Sequence, residues 1–216
     1  GLVNTNMMVF NGTVNFVPSY SDLTIALSGN KSGTITVNRS DFKLLFKGIQ
    51  GDFDFAKTST GNLLLTKSIF NEVTRPLTII GAYKARLDSV FIDKSNYSSF
   101  TGTYRVDNNK VMVSNSGTGF NINQVKYFVL TNSAFSKNQV GIKGNSSNCF
   151  VYKSSFTNNE LGISIPYGSD LSGLVECGCS SFIDNGISIH GEDVLLSISP
   201  LSVNASVTTA EKAVAG

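Results

Sequence analysis

The chain has 216 residues, a net charge of +2, 41% hydrophobic and 15% charged residues, 15 Phe and no Trp. This balance excludes the disordered class, which pairs low hydrophobicity with high net charge. The cations are scattered singly and no apolar run approaches the ~18–20 residues of a membrane-spanning helix, so neither a nucleic-acid partner nor a direct membrane span is expected.

The length suits one domain or one piece of a longer protein. Gly1 starts the chain with neither an initiator Met nor a signal peptide, so a mature or excised segment is expected, its targeting signal lying upstream. The three cysteines, Cys149, Cys177 and Cys179, are an odd number and make no disulfide framework. Cys177-Gly-Cys179 is too short for zinc-knuckle spacing and His190 is the lone histidine, so neither a metal nor another cofactor is expected.

In chain order, Asn11-Gly-Thr-Val-Asn-Phe-Val-Pro, Leu23-Thr-Ile-Ala-Leu and Gly33-Thr-Ile-Thr-Val-Asn alternate as strands. Gly51-Asp-Phe-Asp-Phe sets two acids on one side of a strand, and Leu65-Thr-Lys-Ser-Ile-Phe matches the first half of the repeat unit that follows. Residues 93–110 break the pattern, and longer turns are predicted there. Three kindred segments come next. They are Leu130-Thr-Asn-Ser-Ala-Phe-Ser-Lys-Asn-Gln-Val-Gly-Ile, Val151-Tyr-Lys-Ser-Ser-Phe-Thr-Asn-Asn-Glu-Leu-Gly-Ile and Cys177-Gly-Cys-Ser-Ser-Phe-Ile-Asp-Asn-Gly-Ile. The third lacks two residues between Asn185 and Gly186, which predicts a tighter turn. After Leu195 the repeat fades, and only Thr208-Thr-Ala-Glu-Lys-Ala-Val-Ala has a helix-like composition.

The Phe position recurs through the chain as Leu27, Ile49, Phe70, Phe91, Val113, Phe135, Phe156 and Phe182, in steps of 22, 21, 21, 22, 22, 21 and 26. A second column holds Leu77, Phe120, Ile142 and Ile163, with Phe55 and Phe100 slightly out of phase. Such a period signals a solenoid. In a parallel β-helix each coil pairs with the coils above and below at ~4.8 Å, so an inward Phe sits on an inward Phe. The Asn after each Phe suits a turn, tolerating left-handed geometry or bonding to its neighbour in the stack. The Gly before Ile suits a corner with positive φ or a tight backbone approach. The Leu-x-x-Leu-x-Leu frame of leucine-rich repeats is missing, and a β-sandwich gives no reason for a 21-residue column. The fold class predicted is all-β, a right-handed single-stranded parallel β-helix of about nine or ten coils, roughly 45 Å of stack. The helix is expected over residues 1–195, most regular over 60–195, with 196–216 as a cap or linker.

On these residues the chain resembles the right-handed parallel β-helix repeat family, the superfold of pectate lyases, polygalacturonases, phage tailspikes and bacterial surface passengers. Its units Phe135-Ser-Lys-Asn, Phe156-Thr-Asn-Asn and Phe182-Ile-Asp-Asn also look like those of chlamydial polymorphic outer-membrane proteins and large bacterial adhesins. That family's Gly-Gly-Ala-apolar motif is replaced here by Val-Gly-Ile, Leu-Gly-Ile and Asn-Gly-Ile. The resemblance implies a fold that hosts enzymes, adhesins and fibres alike.

Catalysis by such enzymes needs clustered carboxylates, or Ca²⁺ held by acids beside a basic Arg. Asp52 and Asp54 share one side of a strand and Arg75 lies 21 residues after Asp54, about one coil above. They form either an acid–base constellation or a cross-coil surface salt bridge. Arg75-Pro76 departs from the lyase Arg-x-Pro-x-x-Arg pattern, and His190-Gly-Glu-Asp lacks the companion motifs of the hydrolases. Tyr97, Tyr104, Tyr127, Tyr152 and Tyr167 are candidates for a sugar platform, with Tyr127 and Tyr152 on consecutive coils though not in one column. The expected function is a non-catalytic extracellular module of a large bacterial surface protein, an adhesin or stalk that meets surface glycans or host proteins. The alternatives are a polysaccharide lyase or glycoside hydrolase, and a phage tail-fibre segment that binds glycans.

Overall fold

The computed structural model describes the side chains of residues 70–72, 75–166 and 173–191; elsewhere it describes strand backbone only. The architecture is a parallel β-solenoid of about five turns in that stretch, without helices. Each coil gives one short strand to each of three faces. Face I stacks Thr78–Ile80, Tyr97–Thr101, Thr118–Asn123, Val140–Asn145, Leu161–Ile165 and the start of Ile187–Leu196. Face II stacks the first half of Lys84–Asp93, then Arg105–Asn109, Tyr127–Thr131, Cys149–Tyr152 and Val175–Gly178. Face III stacks the second half of Lys84–Asp93, then Met112–Ser114, Ala134–Ser136, Ser155–Thr157 and Ser181–Ile183. The backbones of Leu2–Thr5, Asp22–Leu27, Lys43–Lys47 and Asn62–Asn71 also pair in parallel, each on the next, and lead into Lys84–Asp93.

The alternation read from the sequence decides which side chains turn inward. Tyr97–Thr101, Arg105–Asn109 and Tyr127–Thr131 all bury every second residue. The inward rings form the core, where Phe70, Phe100, Phe120, Phe128, Phe135, Phe156 and Phe182 are fully buried. Phe135, Phe156 and Phe182 stack face to face, with centroids 5.1 and 4.9 Å apart. Phe120 meets Phe100, Phe128 and Phe135 edge to face. Burial of each ring contributes about 1.5–3 kcal/mol relative to exposure.

One position in the column is corrected. Phe91 points outward, 38% exposed, and Ile92 is the buried residue that pairs with Phe70 and Val113. The backbone turns left-handed at Ser89, φ 59°, between the face II and face III halves of its strand. The strand pairs with Asn62–Asn71 at a constant offset of 22 residues, so Ser68 pairs with Val90 and Phe70 with Ile92. In the second column Phe100 pairs with Ile79 and Ile122, while Ser98 takes the place beside Phe120.

Corners are built from polar ladders. Asn138 Nδ2 donates to Asn159 Oδ1 at 3.0 Å, and Asn159 Nδ2 to Asn185 Oδ1 at 2.9 Å. The same oxygens accept the backbone N–H of Asn138 and Asn159, both at 3.0 Å, and each amide also donates to a core-strand carbonyl. A serine ladder at the next corner takes the N–H of Val111, Ser133 and Ser154 onto Ser133, Ser154 and Ser180. The bond between stack neighbours agrees with the sequence reading, but these Asn do not adopt the left-handed conformation. That falls to the preceding residues Lys137, Asn158 and Asp184, with φ of 55°, 56° and 53°.

Gly141 and Gly162 serve close approach rather than positive φ. A Cβ on Gly141 would stand 2.4 Å from the Gly162 carbonyl oxygen and 3.0 Å from the Phe156 ring. In the third repeat Leu161 pairs with Ile187 and Ile163 with Ile189, so Ser188 occupies the glycine's place and the expected shortening does not occur. The step of 26 has another source. Ile165 pairs with Gly191 and Cys149 with Val175, which leaves the extra residues in the connection between Ile165 and Val175. The long turns expected over 93–110 are also overturned, since Tyr97–Thr101, Arg105–Asn109 and Met112–Ser114 match the coil that follows them. Ala210–Ala215, helix-like by composition, is a strand parallel to Ile187–Leu196.

Candidate functional site

Asp52 and Asp54 sit on the strand Gln50–Lys57, and their side chains lie outside the described residues. Arg75 is exposed just ahead of Thr78–Ile80. Among the described residues no group of three or more His, Cys, Asp or Glu could hold a metal ion. His190 Nδ1 lies 3.2 Å from Ser164 Oγ on the outside of face I, while the side chains of Glu192 and Asp193 lie outside the described residues. Tyr167 also lies outside them.

Face II brings more together. Its inward positions are spent on the core, so its outward positions are free to carry chemistry. Tyr83 and Tyr104, one coil apart and 53% and 41% exposed, stack in parallel with centroids 5.2 Å apart. Tyr127 follows on the next coil, edge to face with Tyr104 at 5.4 Å, and Phe150 lies 6.1 Å beyond it. The row climbs four consecutive coils and drifts sideways, because Tyr127 is in register with Arg105 rather than with Tyr104. Lys126 Nζ stands 5.5 Å from the Tyr104 ring centre and 5.6 Å from that of Tyr127, within cation–π range.

Cations flank the row. Lys84 pairs in register with Arg105, and both hold Asp107, Lys84 Nζ at 3.1 Å and Arg105 Nε at 2.8 Å. Arg86 is exposed two residues on from Lys84 on the same side of the strand, in register with Asp107, with no ion pair to a described residue. These side chains, with Asn109, Val129 and Thr131, border an open groove of about 360 Å³. Its half-exposed ion pairs contribute little to stability, about 0–1 kcal/mol each. Asp88, at the far side, is held by Asn109 Nδ2 at 3.0 Å.

Tyr127 thus belongs to an assembled row. Tyr152 does not join it. Tyr152 pairs in register with Thr131, and its hydroxyl donates to Glu176 Oε1 at 2.5 Å. Burial first, then that hydrogen bond and the Glu176 charge, push its phenol up to about 12. Tyr83, Lys126 and Phe150 escaped the sequence reading. The signal was present, since Tyr83-Lys84 and Tyr104-Arg105 are one period of 21 residues apart.

Compared with known proteins, the chain matches no family model, no curated protein and no solved structure. Fold and face together define a parallel β-solenoid that carries an aromatic row and a cationic groove on one outer face.

Proposed function

We propose that the chain is a non-catalytic extracellular module of a large bacterial surface protein, an adhesin-like right-handed β-helix that binds an extended glycan along face II. The observation that carries this reading is the outer row Tyr83–Tyr104–Tyr127–Phe150. Buried aromatic rings serve packing, whereas Tyr83 and Tyr104 leave about half their surface to solvent. Phenol hydroxyls suit sugar hydroxyls and ring faces suit sugar C–H groups, and a row repeating at the coil spacing suits a polymer that repeats too. Right-handed coiling follows the strong preference of strand–crossover–parallel strand connections. The reading of nine or ten coils is supported by the parallel pairing of Leu2–Thr5, Asp22–Leu27, Lys43–Lys47 and Asn62–Asn71, each on the next.

A glycan-array screen with product analysis tests the reading. The expected outcome is binding without cleavage. Release of shortened saccharides would overturn it in favour of a polysaccharide-degrading enzyme, and Asp52, Asp54 and Arg75 would then be the residues to mutate.

A further inference from the structure

We infer that the ligand of face II is an anionic linear glycan, with carboxylate or sulfate groups on its sugars, lying along the stack axis rather than along the strands. The inference rests on the glycan-binding reading above and names its ligand class. The argument is one of charge placed beside rings. Lys84, Arg86, Arg105 and Lys126 gather on the outward side of three consecutive coils. Among the described residues the opposing carboxylates on this patch are Asp88 and Asp107, and Asp107 is already shared by Lys84 and Arg105.

The geometry leaves donors to spare. Arg105 meets Asp107 through Nε, so its terminal nitrogens remain for an oxyanion, which a guanidinium fork suits. Arg86 has no described partner, and Lys126 is exposed over Tyr104 and Tyr127. A ligand running along the strand would cross Arg105 and then Asp107, and one climbing the neighbouring column would cross Arg86 and then Asp107, so the column free of a carboxylate is that of Lys84 and Arg105. A ligand running up the stack meets Lys84 and then Arg105 in one register column, which Tyr127 continues, with Lys126 one residue to the side over the Tyr104 and Tyr127 rings. One cation recurs per ~4.8 Å rise, which suits a polymer bearing regular charges on successive sugars.

The test uses the full 216-residue chain. Binding is measured to alginate as the carboxylated probe, heparin as the sulfated probe, dextran as the neutral one and a single-stranded poly-dT oligomer, at low and at physiological salt. The expected result is binding of alginate or heparin, whichever bind indicating the anion source, weakening as salt screens the exposed cations. Dextran is expected to bind at least tenfold more weakly. Arg86→Gln, an exposed change checked for an unaltered unfolding midpoint, is expected to weaken anionic binding on the order of tenfold, and Lys126→Gln serves as the second variant. Equal binding of dextran and the anionic glycans overturns the inference while leaving the glycan reading intact. No binding to any glycan sinks both. Preference for poly-dT overturns both in favour of nucleic acid. Anionic binding unchanged in both variants overturns the placement on face II.

Discussion

The buried stack Phe135–Phe156–Phe182 and the outer row Tyr83–Tyr104–Tyr127–Phe150 climb the same solenoid with similar ring separations, 5.1 and 4.9 Å against 5.2, 5.4 and 6.1 Å. The inner rings are fully buried, and their neighbours are the glycines and amides of the corners. The outer rings share their surroundings with lysine, arginine and water. Parallel in-register stacking creates aromatic columns on either side of a strand. Only the side that faces away from the core can then serve a ligand.

The sharpest way to break this contrast is to truncate one ring from each stack. Phe156→Ala removes a ring sandwiched between two others and should cost roughly 3–5 kcal/mol on denaturant unfolding. A loss below about 1 kcal/mol would mean the inner column does not hold the core. Next in size is Asn159→Ala, which strips the acceptor of the Asn138 amide and backbone N–H and the donor to the Phe135 carbonyl. Buried groups left without partners cost about 1–3 kcal/mol each, so a cost of at least ~2 kcal/mol is expected. Near-neutral unfolding would instead show that water replaces the ladder.

The smallest effect concerns Tyr152. Its folded ionisation, near 12, lies above the ~10 of an unfolded tyrosine. Its contribution to stability is therefore fully present below pH ~10 and is lost as pH rises through about 12. Ultraviolet titration should show one late phenol, and Glu176→Gln should bring it earlier by removing the charge that opposes ionisation. An unchanged titration would assign the shift to burial alone.

The solenoid was legible because period carries its physics. Like stacked on like is required by parallel pairing, and Val113, Phe135, Phe156 and Phe182 pair in the order the spacing implies. Phe91 was misread because two strands were aligned on their Ser-x-Phe text, whereas a slip of one residue exchanges inside and outside. The coil from Phe70 to Ile92 is 22 residues long rather than 21, and the left-handed Ser89 at its corner carries no marker, since such corners here use Lys, Asn, Asp and Ser as readily as Gly. Likewise Gly186 looked equivalent to Gly141, yet Ser188 holds that position, and only the register reveals it. The site was half legible: Tyr127 stood out as an exposed aromatic, but the drift of the row from Tyr104 to Phe150 depends on side-chain packing across columns.

The most direct test of the account is the double variant Tyr83→Ala with Tyr104→Ala, measured for glycan binding and for unfolding in parallel. The account predicts that binding is lost while stability falls by no more than about 1–2 kcal/mol, the scale of an exposed aromatic pair. A stability loss comparable to that of Phe156→Ala, with binding retained by the remaining folded protein, would contradict it and make the outer row part of the scaffold.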